Sequence, residues 1–409
     1  MSFRNTSSKK RTTLSLYEEI DGYGLIPDPA PTVQALLERG DSLVATPTFA
    51  RSESREPAGN IRGGIDSSIR ASGNLDTHLI FGHYAKLLQA GWRAAGFSSS
   101  EKHIDGATTI SFESIADAPG SYARILDSAN GLGDYDVGET TRIVTAEGTN
   151  SKTVKIRSVA AGVVEIENGD FVTQSAATAG ATTITQFPSM LNGTACRSFG
   201  LERIYTDQTV NPVESLFLGM LVNEIEMQLQ PGQIINTRFG LVGRIEEDRT
   251  TSIAGATTPA PSASLLSAVR SVPRLRIGGE SLLLSQMTLR LTNNAEPIEV
   301  VGEYGPIDWS LGDFELTGDL QLLMYTGTIS SATEYTKAVA GTTSSLYQVL
   351  KDAAGNEQFF DFPVIRYTDR SRAPQDSGAG PIIVNLPFQV ELNDADGASA
   401  RYGELAAAA

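Results

Sequence analysis

Asn223-Glu224-Ile225-Glu226-Met227-Gln228-Leu229-Gln230 alternates polar and apolar side chains without a break, and that alternation decides the fold. A strand turns successive side chains to opposite faces. Ile225, Met227 and Leu229 therefore share one face, and Glu224, Glu226, Gln228 and Gln230 share the other. A helix would scatter the same residues around its axis. A two-faced strand of this kind belongs to an antiparallel sheet with water on one side.

Four more runs carry the same rhythm. In Asp313 to Leu322, Phe314, Leu316, Leu320 and Leu322 oppose Asp313, Glu315, Thr317, Asp319 and Gln321. Met287, Leu289 and Leu291 alternate with Gln286, Thr288, Arg290 and Thr292; Leu386, Phe388, Val390 and Leu392 alternate with Asn385, Gln389 and Glu391. Ile65, Ile69 and Leu75 alternate with Asp66, Ser68, Arg70, Ser72, Asn74 and Asp76. The polar rows hold the acids Asp66, Asp76, Glu224, Glu226, Asp313, Glu315, Asp319 and Glu391 against Arg70 and Arg290 alone. Long, amphipathic strands with a net acidic wet face are the expectation. Pro387 sits awkwardly in this scheme, because proline suits an edge or a strand start.

The chain has 409 residues and a formal charge of −16, with the acidity concentrated after Pro188. A length of this order can bury a full core and is compatible with more than one domain. The charge repels nucleic acid and anionic membranes, which argues against a conventional DNA reader. Cys196 is the single cysteine, so no intrachain disulfide can form, and it reads as a small buried residue. No apolar run approaches the roughly 20 residues that cross a bilayer. Met1 to Thr13 is polar and lacks the apolar core of a signal peptide, which reads as cytosolic synthesis.

Other segments divide the chain. Met1 to Thr12 reads as an arm, Thr13 to Glu18 and Ser42 to Glu53 as strands, and Gln358 to Tyr367 as another strand. Ile80, Phe81, Tyr84, Leu87 and Leu88 share a face at helical spacing, with Thr77 as a cap and Gly91 as the stop. A shorter helix is expected at Ser344 to Asp352. Between Ser121 and Phe187, β-branched runs at Thr140 to Thr145, Val154 to Val159, Val163 to Ile166 and Ala181 to Thr185 are separated by turns at Glu147-Gly148 and Asn168-Gly169. These describe a small all-β module, residues 121–187, inserted into a host domain of residues 1–120 and 188–409. Gly243 to Pro273 reads as a long loop or arm, and loops of that length are functional or disordered.

Known catalytic patterns are absent from the sequence. His78, His83 and His103 have no ligand partners at metal spacing, no Walker loop or Gly-x-Ser-x-Gly elbow occurs, and Asp394-Ala395-Asp396-Gly397 lacks the flanking ligands of a calcium loop. No cofactor is expected. Glu224 with Glu226, or Asp313 with Glu315, stand about 7 Å apart on one strand face, within the range that glycosidases use. A glycosidase concentrates its acids in one cleft, whereas here they recur on every strand. That favours a surface property over an enzyme.

The residues also resemble a family. Thr13 to Glu19, Gly22-Tyr23-Gly24-Leu25-Ile26-Pro27, and the strand from Gly63-Gly64-Ile65 through Leu75 into the segment Ile80 to Ala90 are similar to the start of phage tail tube proteins. Leu289 to Asn294, Gly302, Ile307-Asp308, Gly312-Asp313-Phe314-Glu315-Leu316-Thr317-Gly318, Ser344 to Leu346, Asp352 to Asn356 and Phe362-Pro363 extend the likeness along the later half. The resemblance implies a mainly-β chain, an antiparallel sandwich or partial barrel with one packed helix and a second short one. It implies hexameric rings stacked into a hollow tube, in the virion tail, through which double-stranded DNA passes during ejection. Implied partners are further copies of the chain and the tape measure, tail terminator and distal tail proteins. On that reading Glu224, Glu226, Gln228, Asp313, Glu315, Asp319, Gln321, Gln286, Thr288 and Arg290 are candidates to line the bore. Lys9, Lys10, Arg11, Arg244, Glu246, Glu247, Asp248 and Arg249 are candidates for contact between rings. The rival readings are a virion-surface or extracellular binding module that recognises its target through residues 121–187, and a carbohydrate-active enzyme.

Overall fold

The computed structural model describes residues 12–51, 63–98, 102–115, 122–167, 171–205, 214–261, 265–324, 331–374 and 382–407. The chain opens with β1 (Thr12–Glu18), β2 (Thr32–Ala35), β3 (Glu38–Asp41), β4 (Val44–Arg51), β5 (Gly64–His78) and the short helix α1 (Ala85–Gly91). Next come β6 (His103–Ala107), β7 (Ile110–Ile115), β8 (Tyr122–Asp127), β9 (Thr140–Thr145), β10 (Lys152–Ala160), β11 (Val163–Glu167), α2 (Ala176–Ala179) and β12 (Thr182–Gln186). β13 (Ser189–Leu191), β14 (Phe199–Tyr205), β15 (Glu214–Leu229), β16 (Asn236–Gly243), β17 (Ile245–Arg249), β18 (Ala256–Thr258) and β19 (Arg274–Ile277) follow. The last third holds β20 (Leu284–Thr292), β21 (Ala295–Ile298), β22 (Asp308–Leu311), β23 (Glu315–Leu323), α3 (Ser331–Ala340), β24 (Ser344–Lys351), β25 (Glu357–Tyr367), β26 (Ser371–Pro374), β27 (Ile382–Val390) and β28 (Arg401–Leu405). The protein is mainly β and its sheets are built of antiparallel pairs, apart from a short parallel contact between β2 and β18. Two compact units share the chain: Met1–Ala94, Gly193–Ala268 and Gln286–Asp319 form the first, and Ala95–Asn192, Val269–Ser285 and Leu320–Ala409 form the second.

The spine of the first unit is β15, sixteen residues long. Its first half pairs with β14 and β17, and its second half with β16 and β20. Every side chain from Glu214 to Val222 is buried, whereas beyond Asn223 buried and half-buried residues alternate. The strand therefore changes from a two-sided core strand to a one-sided one within its own length. Gly219 lies near that change, at φ 67°, and a Cβ there would sit 2.6 Å from the Tyr23 ring. Only glycine fits both the backbone and the space.

The apolar rows behave as alternation requires. Ile225, Met227, Leu229, Met287, Leu289, Leu291, Leu75, Phe239 and Leu241 are all 6 % exposed or less. Each such side chain taken out of water contributes about 1.5–3 kcal/mol before entropy is counted. Helix α1 belongs to the same unit, with Leu87 and Leu88 buried and the Tyr84 ring 5.7 Å from that of Phe239. Gly91 is the reason it can approach so closely, since a Cβ there would lie 2.2 Å from Ile225 Cδ1.

This helix departs from the expected one at both ends. It starts at Ala85, not near Ile80, and Thr77 is no cap: it lies in β5, where its Oγ1 donates to the Thr237 carbonyl. Gly91 closes the helix from inside. The residues before it form turns that aim His83 at β2 and its continuation, where the Leu37 amide donates to Nε2 and Gln34 Nε2 donates to the His83 carbonyl. Burial lowers the His83 pKa below the usual histidine value. The unfolded chain takes up a proton as pH falls through about 6.5, and the folded chain resists it. Stability contributed by this residue is thus complete above that pH and is lost as pH drops toward the lowered folded value. We expect the melting temperature of the wild type to fall more steeply between pH 7.5 and 5 than that of a His83→Gln variant. A residual slope should remain from His78, whose pKa burial and then Arg39 also lower. Equal slopes in the two proteins would contradict this assignment.

In the second unit, β6, β12, β9 and β10 pair in that order, and β10, β11, β8 and β7 continue the sheet. β10 serves both parts, with Lys152–Lys155 on β9 and Ile156–Ala160 on β11, and a bulge next to Ile156 bends it between them. Ile110, Phe112, Ile125, Ile143, Val154, Ile156, Ile166 and Ile184 fill the space enclosed. This sheet starts at His103, so it takes in two strands that precede residue 121. The rest of the unit is a sheet in which β24 pairs with β19 and β25, while β25 also pairs with β27 and β28. Lys155 Nζ meets the buried Asp361 carboxylate at 2.8 Å, and Tyr347, Val349, Phe359, Phe187 and Leu405 form one apolar cluster. Burial pushes the Asp361 pKa up, against the pull of Lys155 and Arg401.

Several expectations fail here for local reasons. Ser344 to Asp352 is not a helix but strand β24, and both of its faces are buried from Leu346 to Leu350. A continuous apolar run cannot be told from a buried helix by periodicity. The helix of this region is α3, upstream. Gly243 to Pro273 is not a free arm: β17 pairs with β15, β18 pairs with β2, and Glu202 holds the Ile253 amide at 2.9 Å. Ile65 is 71 % exposed: it lies in the first half of β5, on the β4–β5 hairpin opposite Ala50, and among the described residues no core side chain covers it. Leu392 lies beyond β27 and is exposed, and Cys196 is exposed as well. Pro387 stays inside β27 with its carbonyl accepting from the Thr368 amide.

Candidate functional site

Each strand of the first unit that alternates contributes its polar row to one face. From one side to the other the strands run β5, β16, β15 and β20, with β23 beside β20, where Thr317 Oγ1 reaches the Arg290 carbonyl at 3.5 Å. The registers align Asp76 with Arg238, Arg238 with Glu226, and Glu226 with Arg290. Neighbouring strands lie about 4.8 Å apart, so acid and base alternate in a row perpendicular to the chain direction.

Side-chain contacts follow that row. Arg238 Nε donates to Asp76 Oδ1 at 2.7 Å, Arg290 Nε lies 2.8 Å from Glu224 Oε1, and Gln228 Nε2 donates to Glu226 Oε1 at 2.7 Å. The Asp76 hydrogen bond raises the Arg238 pKa further above its ordinary value. Both ion pairs are about half exposed, so each is worth about 1 kcal/mol at most. Arg39 joins from β3, where one extra residue between Glu38 and Gly40 breaks the register with β5. A bulge re-aims its side chain, and Arg39 Nη1 donates to Asn236 Oδ1 at 2.9 Å. Together Arg39, Asp76, Glu226, Gln228, Asn236 and Arg238 line a shallow polar depression of about 290 Å³.

The sequence-derived bore candidates divide accordingly. Glu224, Glu226, Gln228, Thr288 and Arg290 are brought together on β15 and β20, and Gln286 is half-buried at the start of that row. Glu315 and Asp319 project from β23, each exposed between buried Leu316, Gly318 and Leu320, and neither is ion-paired among the described residues. Asp313 is exposed just before β23, and its carbonyl accepts from Asn294 Nδ2. Gln321 is half-buried and belongs to the part of β23 assigned to the second unit. Glu391 is elsewhere, paired with Arg366 in the second unit, and Asp66 lies on the β4–β5 hairpin. The face is therefore less acidic than the five runs suggest: Asp76, Glu224, Glu226, Glu315 and Asp319 stand against Arg39, Arg238 and Arg290. Sequence reading missed Arg238 although Thr237, Phe239 and Leu241 alternate with Asn236, Arg238 and Gly240. Gly240 and Gly243 interrupt the polar and apolar rows and hide the rhythm.

The ring-contact candidates are held in place rather than free. Arg244 reaches Glu303 at 3.4 Å, Glu246 accepts from the Ala45 amide at 3.3 Å, and Arg249 lies 4.0 Å from Glu247. Glu246, Glu247, Asp248 and Arg249 sit on β17, paired with β15. Lys9, Lys10 and Arg11 lie outside the described residues. No group of three or more His, Cys, Asp or Glu suited to a metal occurs among the described residues, and no helix there is long and apolar enough to cross a membrane.

No curated protein matches the chain. A family model described as phage tail tube protein matches residues 9–390, nearly its whole length. The chain belongs to the phage tail tube protein family, a family of structural proteins of the virion tail.

Proposed function

We propose that six copies of the chain close into a ring, that rings stack into the tail tube, and that the polar face of β5, β16, β15, β20 and β23 lines the bore. The observation that carries this reading is the asymmetry of that sheet: one face is a continuous polar row across five strands, and the other is sealed by core side chains in a unit that includes α1. A bore must be wet, and a multi-chain barrel removes exposed strand edges that would otherwise aggregate. The ring number rests on the family resemblance.

Duplex DNA carries about one negative charge per 1.7 Å, and a basic wall would hold it by releasing counterions. Here the arginines are tied to carboxylates or amides of the same face, while Glu315 and Asp319 are left uncompensated. The surplus is acidic and the genome slides past it. In this reading the tape measure, tail terminator and distal tail proteins are the tube's partners. Negative-stain microscopy of the purified chain tests the assembly directly, with rings or hollow tubes expected; particles that remain discrete monomers at every concentration and salt would contradict it.

A further inference from the structure

A lysine and an aspartate of the second unit meet out of water. Lys155 projects from β10 and Asp361 from β25, 206 residues apart in sequence, and their side chains are 13 % and 1 % exposed. Lys155 Nζ stands 2.8 Å from Asp361 Oδ1 and 2.8 Å from Oδ2. A nitrogen equidistant from both oxygens is about 3 Å from the carbon between them, the separation of a near-attack arrangement. The surroundings are apolar: Asp361 pairs with Tyr347 and shares a sheet face with Val349 and Phe359, all three buried. Other lysine pairs between strands or loops are wetter, since the lysine of Lys351–Glu357 is 46 % exposed and the carboxylate of Lys102–Asp136 is 67 % exposed.

A third carboxyl completes the group. Ile156 of β10 pairs with Ile166 of β11, so Lys155 and Glu167 are the next neighbours along that ladder. Burial raises the Glu167 pKa, and the charges of Lys155 and Asp361 both act on it, with Lys155, Arg274 and Arg276 pulling it down. Burial also raises the Asp361 pKa. Both carboxyls therefore hold a proton more readily than exposed ones do.

We propose that Lys155 and Asp361 condense to an amide, a covalent staple between β10 and β25, with Glu167 moving the proton. Within the ion pair one ammonium proton passes to the carboxylate, which leaves a neutral amine beside a neutral acid. The Nζ lone pair then attacks Cγ. Glu167 takes one proton from the nitrogen and returns it to the departing hydroxyl, so the Nζ–Cγ bond forms, one Cγ–O bond breaks, one water leaves and Glu167 ends as it began. No oxidant or cofactor takes part. A chain with one cysteine has no internal disulfide to hold β10 to β25, and an amide does so whatever the redox conditions. The staple does not depend on the tube reading.

Intact mass spectrometry of the purified chain tests it. The wild type should be lighter than its sequence by one water, about 18 Da, and digestion should release a branched peptide joining Lys155 to Asp361. Lys155→Arg and Asp361→Ala should each keep the full mass. Glu167→Gln leaves both reacting residues in place and should form the bond about a hundredfold more slowly. A folded wild type at its full sequence mass overturns the proposal, and so does a water loss that persists in Lys155→Arg, which would place the change on an aspartyl ring closure. A Glu167→Gln chain linked as fast as the wild type overturns the role given to Glu167.

Discussion

A tube built from a Glu226→Lys, Gln228→Lys, Thr288→Lys variant is expected to retain duplex DNA that the wild-type tube releases. All three positions lie on the polar face, on β15 and β20, outside the Glu224–Arg290 pair. Assembly should survive. The substitutions raise the charge of the face by about four per chain, and a ring repeats that change in every copy. Each phosphate neutralised adds about −0.9 to the slope of log K against log salt. Retention should be strong at 50 mM salt and fall by several orders of magnitude by 200 mM. DNA binding to sealed or open tubes, and the rate of genome ejection from particles carrying the variant, would check it. Unchanged ejection and no salt-dependent retention would show that the face does not meet DNA.

The second large effect is expected from Arg93, which sits just after α1 at φ 52° and is 8 % exposed. Its Nε donates to Asn293 Oδ1 at 2.7 Å, Nη2 to the Asn293 carbonyl at 2.7 Å, and Nη1 to the Gly312 carbonyl at 2.8 Å. Asn293 in turn donates through Nδ2 to the Gly91 and Val222 carbonyls, at 3.1 and 2.9 Å. One guanidinium thus ties the end of α1 to the end of β20 and the start of β23. Burial lowers its pKa, with Asp313 among the groups that oppose the shift. Arg93→Met keeps much of the apolar stem but leaves Asn293 Oδ1 and two carbonyls without this donor. Hydrogen bonds to a charged group are worth about 1.5–3 kcal/mol each, and a stranded acceptor costs about 1–3 kcal/mol. We expect a loss of about 3 kcal/mol or more in denaturant unfolding, together with failure to assemble, because Asp313 and Glu315 lose their anchor. A loss below about 0.5 kcal/mol would mean that packing alone holds this corner.

Much of the fold was legible because side-chain period reports directly on which face is wet. Ile225, Met227 and Leu229 were assignable to the core from eight residues of sequence, and so were Met287, Leu289 and Leu291. β24 was not, because burial on both faces erases the period. Ile65 followed the pattern yet ends exposed, since alternation says which side a residue takes and not whether anything covers that side.

The chemistry of the polar face was only half legible for a different reason. Its charges are organised by register between strands far apart in the chain: Asp76 and Arg238 are 162 residues apart. A sequence counts acids and bases on each strand but does not say which strands are neighbours. β16 supplies Arg238 and the bulged β3 supplies Arg39, and both convert a patch of acids into an ordered row. Arg93 carried no sequence signal, because its partners are main-chain carbonyls and one asparagine.

The most direct measurement is a density map of the assembled tube at side-chain resolution. It is predicted to show Glu224, Glu226 and Arg290 facing the hollow, with Leu87 and Leu88 of α1 on the far side of the sheet. A map in which α1 borders the hollow, or in which those carboxylates lie on the outer wall, would contradict the account.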